Sequence, residues 1–227
     1  MSKNKILYHG SLYRIEQPQL GLGKPNNDYG SGFYCTAHRE LACEWASKTQ
    51  GIDGIVNEYA LDMTNLKVLD LSQYSILHWM TLLVQNRTFT LTTPISVQAK
   101  EYLIQNFNID LSGYDVVKGY RADDSYFSFA EDFLNNAISL KHLSAAMRLG
   151  KLGIQYVLIS QKAFDAVRFT QAEQVDNAVY YPKFTNRDLK ARKSYKSSKA
   201  NLTIDPSELY VLDIIRGGMK DGDPRLS

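Results

Sequence analysis

The segment Asp28-Tyr29-Gly30-Ser31-Gly32-Phe33-Tyr34-Cys35-Thr36 decides how the chain is read. Its glycines close a loop, residues 18–32, that is rich in Gly, Pro and Asn. Such a run resists regular structure, because ordering glycine costs the most backbone entropy and proline has no N–H to donate. Phe33 to Thr36 is aromatic and β-branched, the composition of a short strand. Beyond it Leu41, Ala42, Trp45 and Ala46 recur at helical spacing, with Thr36 as the candidate N-cap. No Gly-Lys-[Ser/Thr] follows the glycines, and the loop feeds a strand where a phosphate loop would feed a helix. Both features argue against a nucleoside-triphosphate loop and against a Rossmann fingerprint.

Outward from this segment, short strands and helices alternate. Residues 5–9 read as a strand ending at Gly10, and 55–61 and 66–71 as two more. Helical patterns run through 73–85 and 94–106. A strand is expected at 113–120, helices at 127–137 and 139–149, and an apolar strand at 155–160. A further strand begins at 167–169. The alternation fits an α+β domain. Asp205-Pro206-Ser207-Glu208 has the form of a helix start, and Gly217-Gly218 that of its stop.

The chain has 227 residues, 44% hydrophobic and 22% charged, with a mean hydropathy of −0.31, as globular proteins do. The most apolar stretch, 76–84, is interrupted by His78 and Thr81 and is too short to cross a bilayer. Residues 1–9 contain no apolar run before a cleavage site, so a cytoplasmic protein with no membrane partner is expected. Cys35 and Cys43 form neither a CxxC nor a histidine-paired set, which argues against a disulfide framework and against a metal. His38, His78 and His142 read as structural or surface residues.

Charge is uneven. Residues 183–199 hold seven bases (Lys183, Arg187, Lys190, Arg192, Lys193, Lys196, Lys199) and one acid, Asp188, a net +6. With +2 overall, the remainder carries −4. Such a block either attracts phosphates or an acidic partner, or is a solvated face.

Three patterns carry the chemistry: Leu7-Tyr8-His9-Gly10-Ser11, the Gly-Ser-Gly-Phe-Tyr segment followed by Trp45, and Ile154-Gln155-Tyr156-Val157-Leu158-Ile159. Together they resemble the ADP-ribosyltransferase superfamily, in its diphtheria-toxin/poly(ADP-ribose)-polymerase branch, and within it the bacterial DUF3990 family. In that branch a strand ends in His-Gly-[Ser/Thr], and Gly-x-[Ile/Phe]-Tyr heads a second strand. An aromatic residue follows eleven positions later, as Trp45 follows Tyr34. The third signature position, usually Glu, falls on Gln155. Tyr120-Arg-Ala-Asp-Asp124 looks like the family's Val-Ala-Asp-Asp motif. The likeness covers roughly residues 5–180 and the closing helix.

The resemblance implies split β-sheets with flanking helices around an NAD cleft, over residues 1–181. Residues 182–227 would be a basic extension ending in a helix and packed on the same domain. It implies NAD+ as substrate, His9, Tyr34 and Gln155 as catalytic residues, and His9, Gly10, Ser11, Tyr34 and Trp45 as its binding set. ADP-ribose would pass to a macromolecular acceptor, protein or nucleic acid, in the manner of a toxin or delivered effector with a neutralising partner. The alternatives are a catalytically weak NAD-binding module and an NAD glycohydrolase.

The residue chemistry points the same way. Cleaving a nicotinamide–ribose bond passes through an oxocarbenium-like state, as glycoside cleavage does. Two π faces, Tyr34 and Trp45, suit a flat cationic ring. Gly10 lets backbone approach the ring amide. An amide at residue 155 can hydrogen-bond a ribose hydroxyl but carries no charge to offset the cation. Asp123 and Asp124 read either as a helix cap or as the acid/base missing from that position. Taken singly, each residue also has an ordinary reading: a strand end for His9, a core tryptophan for Trp45, an edge polar residue for Gln155.

Overall fold

The computed structural model describes residues 4–122, 127–146, 153–200, 205 and 207–226. The strands are β1 (Asn4–Ser11), β2 (Phe33–Thr36), β3 (Gly54–Asp62), β4 (Val68–Asp70), β5 (Val116–Tyr120), β6 (Ile154–Leu158) and β7 (Val167–Val175). The helices are α1 (Arg39–Ala46), α2 (Ile76–Asn86), α3 (Pro94–Phe107), α4 (Phe127–Leu134), α5 (Leu140–Ala146), α6 (Gln161–Ala166), α7 (Asn177–Ala200) and α8 (Val211–Arg216).

All seven strands join in one open sheet of order β4-β5-β6-β2-β1-β3-β7, so the expected split pair is corrected to a single sheet. The join is thin. β1 pairs with β3 along its whole length and β2 with β6, but β1 meets β2 through one register pair, Tyr8↔Thr36. β4 and β5 run parallel; the other neighbours are antiparallel.

The larger core lies between one sheet face and α2, α3, α4, α5 and α8. Val117 and Val157 meet Trp79, Leu103, Phe129, Phe133 and Leu143 there. On the other face Leu7, Cys35, Tyr156 and Leu158 pack against Ala163 and Phe164 of α6. Side chains alternate along a strand, so β6 sends Val157 to the first face and Tyr156 and Leu158 to the second. Gln155 shares the face of Val157. α2 is buried from Leu77 to Val84, apolar nearly all round as an enclosed helix should be. Its polar members are satisfied: His78 bonds the Phe107 carbonyl and Asp221, and Thr81 donates to Leu77 O.

Three expected boundaries move. α1 begins at Arg39 with His38 at its cap; Thr36 ends β2, and its Oγ1 accepts from the His38 N–H instead. The closing helix begins at Val211, because Asp205 folds back on Ser207 and Asp213 accepts from the Tyr210 N–H. The basic stretch lies in α7, which runs unbroken across residues 181 and 182 and carries Pro182 inside it. The end of the helix expected at 139–149 lies outside the described residues. α7 packs by Ala191 and Tyr195, and α8 by Val211 and Ile214, which with Tyr195 belong to the larger core.

Candidate functional site

The floor of the site is a polar knot under the larger core. β6 delivers Gln155, 3% exposed, and its Nε2 donates to Asp28 Oδ2 at 3.0 Å and to the Tyr120 carbonyl at 3.2 Å. Both partners only accept, which fixes the amide orientation and leaves Oε1 with no donor bonded to it among the described residues. Asp28, 5% exposed, also accepts from the Ala122 N–H at 2.9 Å, and Arg87 Nε stands 3.4 Å from its Oδ1. Burial pushes the Asp28 carboxyl above its ordinary value; the charge of Arg87, the Ala122 N–H and the Gln155 amide pull it back. The Tyr120 carbonyl collects two further donors, Trp79 Nε1 at 3.1 Å and the Tyr29 hydroxyl at 2.6 Å.

β1 brings His9. Its Nδ1 lies 2.7 Å from the Tyr34 carbonyl, and its ring stacks on Phe33 with centroids 4.5 Å apart. A carbonyl only accepts, so Nδ1 holds the proton and Nε2 is an acceptor while the ring is neutral. Burial keeps it neutral by lowering its proton affinity, against the pull of that carbonyl. Gly10 lines the same cavity, but a Cβ on it would stand 1.9 Å from Ala42 O. Its bareness is therefore required by the close packing of β1 on α1, a role beyond the ligand approach expected of it. Ser11 turns away: its Oγ donates to the Tyr13 carbonyl at 2.5 Å and receives Asn57 Nδ2 at 3.3 Å.

β2 and α1 supply the aromatic pair. The Tyr34 hydroxyl donates to Gly30 O at 2.7 Å and accepts from the Tyr29 N–H at 3.0 Å, so it also ties down the glycine loop. Gly30 has φ +73°, a left-handed turn that favours glycine. Trp45 lies under the Arg121 guanidinium, 4.2 Å from the ring centroid.

A cavity of about 510 Å³ opens at this site. Of the expected set, His9, Gly10, Tyr34, Trp45 and Gln155 line it; Ser11 is not part of its wall. Asp123 and Asp124 lie outside the described residues, although Ala122, just before them, is in the wall. The sequence reading missed Asp28, Arg87, Lys24, Lys48, Arg121 and Phe184, which line it too. Asp28 stood in the quoted segment as a loop acid, with nothing local to mark its burial. Arg87 reaches the site because α2 docks on the loop, where Asn86 Nδ2 donates to Asp28 O at 3.4 Å.

Elsewhere, much of the basic stretch is spent on the fold. Lys183 pairs with Glu40, Arg192 with Asp188 and Lys199 with Asp132. Arg187 grips the buried Glu44 by two bonds of 2.7 and 2.6 Å. Ser139, His142 and Glu208 cluster within hydrogen-bond distance, but the imidazole faces both partners through Nδ1 alone. A relay needs both ring nitrogens, and Ser139 is wholly buried as the partner of the His142 N–H. Cys35 and Cys43 are free and buried. Among the described residues no helix is long and apolar enough to cross a membrane.

Residues 5–169 match the model of a family described as "Protein of unknown function (DUF3990)", and the chain belongs to that family. No curated protein and no solved structure matches it.

Proposed function

We propose that this DUF3990 protein binds NAD+ in the cavity and transfers its ADP-ribose to a macromolecular acceptor, releasing nicotinamide. The observation that carries the reading is convergence. His9, Gly10, Tyr34, Trp45 and Gln155, singled out from separate parts of the sequence, share one cavity wall.

The charge layout supports it. Lys24, Lys48, Arg87 and Arg121 line the cavity with one buried carboxylate, Asp28. A dinucleotide with an anionic pyrophosphate and a cationic ring meets complementary groups there. Tyr34 and Trp45 bracket the ring, and His9 Nε2 accepts from a ribose hydroxyl. Gln155 Oε1 accepts from another, close to where positive charge grows. The bond between ribose C1′ and nicotinamide breaks with its electron pair passing to the ring nitrogen, which becomes neutral. The acceptor's lone pair then closes on C1′, and its proton leaves to water.

The test is incubation with NAD+ labelled in the adenylate half, together with cell extract, followed by separation of protein, nucleic acid and small molecules. Label on a macromolecule supports transfer. Free labelled ADP-ribose alone shows a glycohydrolase, and bound but unchanged NAD+ shows a binding module. A toxin or effector role adds a growth defect on expression, relieved by a neutralising partner.

A further inference from the structure

We propose that Asp28 supplies the negative charge at the reacting centre, with Gln155 as its positioning residue and as the neutral acceptor for the ribose. This rests on the NAD+-cleaving reading above.

Heterolysis puts positive charge on C1′, and an amide cannot offset it. The only acid of the cavity wall among the described residues is Asp28, and Gln155 touches it. Three segments hold that carboxylate: the glycine loop that carries it, the Ala122 N–H after β5, and Gln155 on β6. Both short bonds fall on Oδ2. Oδ1 has Arg87 Nε at 3.4 Å, outside the range of a tight charge-assisted bond. A buried acid kept merely for the fold would be expected in a closer pair, as Glu44 is with Arg187. The knot thus divides two duties. Gln155 Nε2 fixes the carboxylate, Gln155 Oε1 faces the ribose, and Asp28 forms no bond to C1′ and ends each turnover as it began.

Four forms decide it: wild type, Asp28→Asn, Gln155→Glu, and the double variant Asp28→Asn/Gln155→Glu. NAD+ binding is read by calorimetry and nicotinamide release in a single turnover. Asp28→Asn should still bind NAD+ but release nicotinamide about 10²–10³-fold more slowly, the usual loss for a preorganised group facing developing charge. The double variant should regain at least about tenfold over Asp28→Asn, because a carboxylate returns to the same knot. A purely structural Asp28 would lower melting temperature, binding and rate together, with no such rescue.

Wild-type release by a folded Asp28→Asn overturns the proposal and leaves the NAD+ reading intact. Should Asp28→Asn not fold, Gln155→Glu decides. Two touching carboxyls share a proton and together keep the single negative charge of wild type, so its release should stay within about tenfold of wild type; a large gain instead would mean the site lacked charge, and overturns the proposal. A wild-type protein that does not bind NAD+ removes the parent reading and this one with it.

Discussion

His9 and Tyr34 are joined across the thinnest line of the sheet, imidazole Nδ1 to backbone carbonyl at 2.7 Å. β1 and β2 share one register pair, so this side-chain bond stands in for missing ladder bonds while setting the imidazole tautomer. One contact serves the fold and the site.

The tautomer has a pH signature. Burial holds His9 below the ordinary imidazole value of 6.5. Between its native value and 6.5 the unfolded chain binds a proton that the native one does not, so stability is lost as pH falls through that window. NAD+ affinity should fall with it, since protonation removes the Nε2 acceptor. Nitrogen-detected NMR should show the Nδ1–H form at neutral pH and a midpoint under 6.5; an Nε2–H tautomer would refute the assignment.

Tyr34 has a structural role and a proposed binding role, and the two are separable. Tyr34→Phe removes the bonds to Gly30 and Tyr29 but keeps the ring, and should cost about 1–2 kcal/mol of stability. NAD+ affinity should largely remain. Tyr34→Ala and Trp45→Ala should each also weaken NAD+ by about 0.5–1.5 kcal/mol beyond lost area, the worth of an aromatic contact. Denaturant titration and calorimetry separate the two effects, and equal affinity in all three variants would misplace the ring site.

The bases of α7 divide into two groups. Arg187→Ala leaves Glu44 buried and unpaired, and should destabilise by about 3 kcal/mol in urea titration. Lys190, Lys193 and Lys196 are exposed on the same helix. Reversing their charges should change stability by less than about 0.5 kcal/mol. Acceptor labelling should fall while acceptor-free nicotinamide release stays unchanged. Unaltered labelling would make them a solvated face.

Gln155→Ala removes the donor to Asp28 and, with it, the proposed acceptor for the ribose. Single-turnover nicotinamide release should drop about 10²–10³-fold, with NAD+ affinity nearly kept, because the lost interaction matters most where charge develops. Loss of affinity without loss of rate would assign Gln155 to binding alone.

Most elements were legible because their cues are local. Tyr34 and Trp45 sit on a strand and a helix whose patterns identify them, and β6 is a plain apolar run. β7 was visible only at its start: past Phe169 its exposed edge residues, Thr170, Gln171, Glu173 and Gln174, carry no apolar alternation. α7 was hidden by its polar surface and by Pro182, and is held by contacts to Glu40, Glu44 and the core that no local window contains. The cavity wall divides likewise. His9 and Gln155 stand in short motifs, whereas Asp28 and Arg87 acquire meaning only when α2 docks on the glycine loop.

The single register pair between β1 and β2 also bears on how a ligand would be felt. His9 and Gly10 lie on one side of that seam, Tyr34 and Gln155 on the other. A molecule touching both sides acts as a cross-brace over a joint with few rungs of its own. Its binding energy adds to the resistance of the whole sheet to melting, by about 2.7 kcal/mol at a hundred times its dissociation constant. Thermal shift against a panel of dinucleotides and their fragments therefore reads the site before any acceptor is found. Adenylate alone, lacking the ring and ribose that would touch both sides of the seam, should brace it far less than the intact dinucleotide.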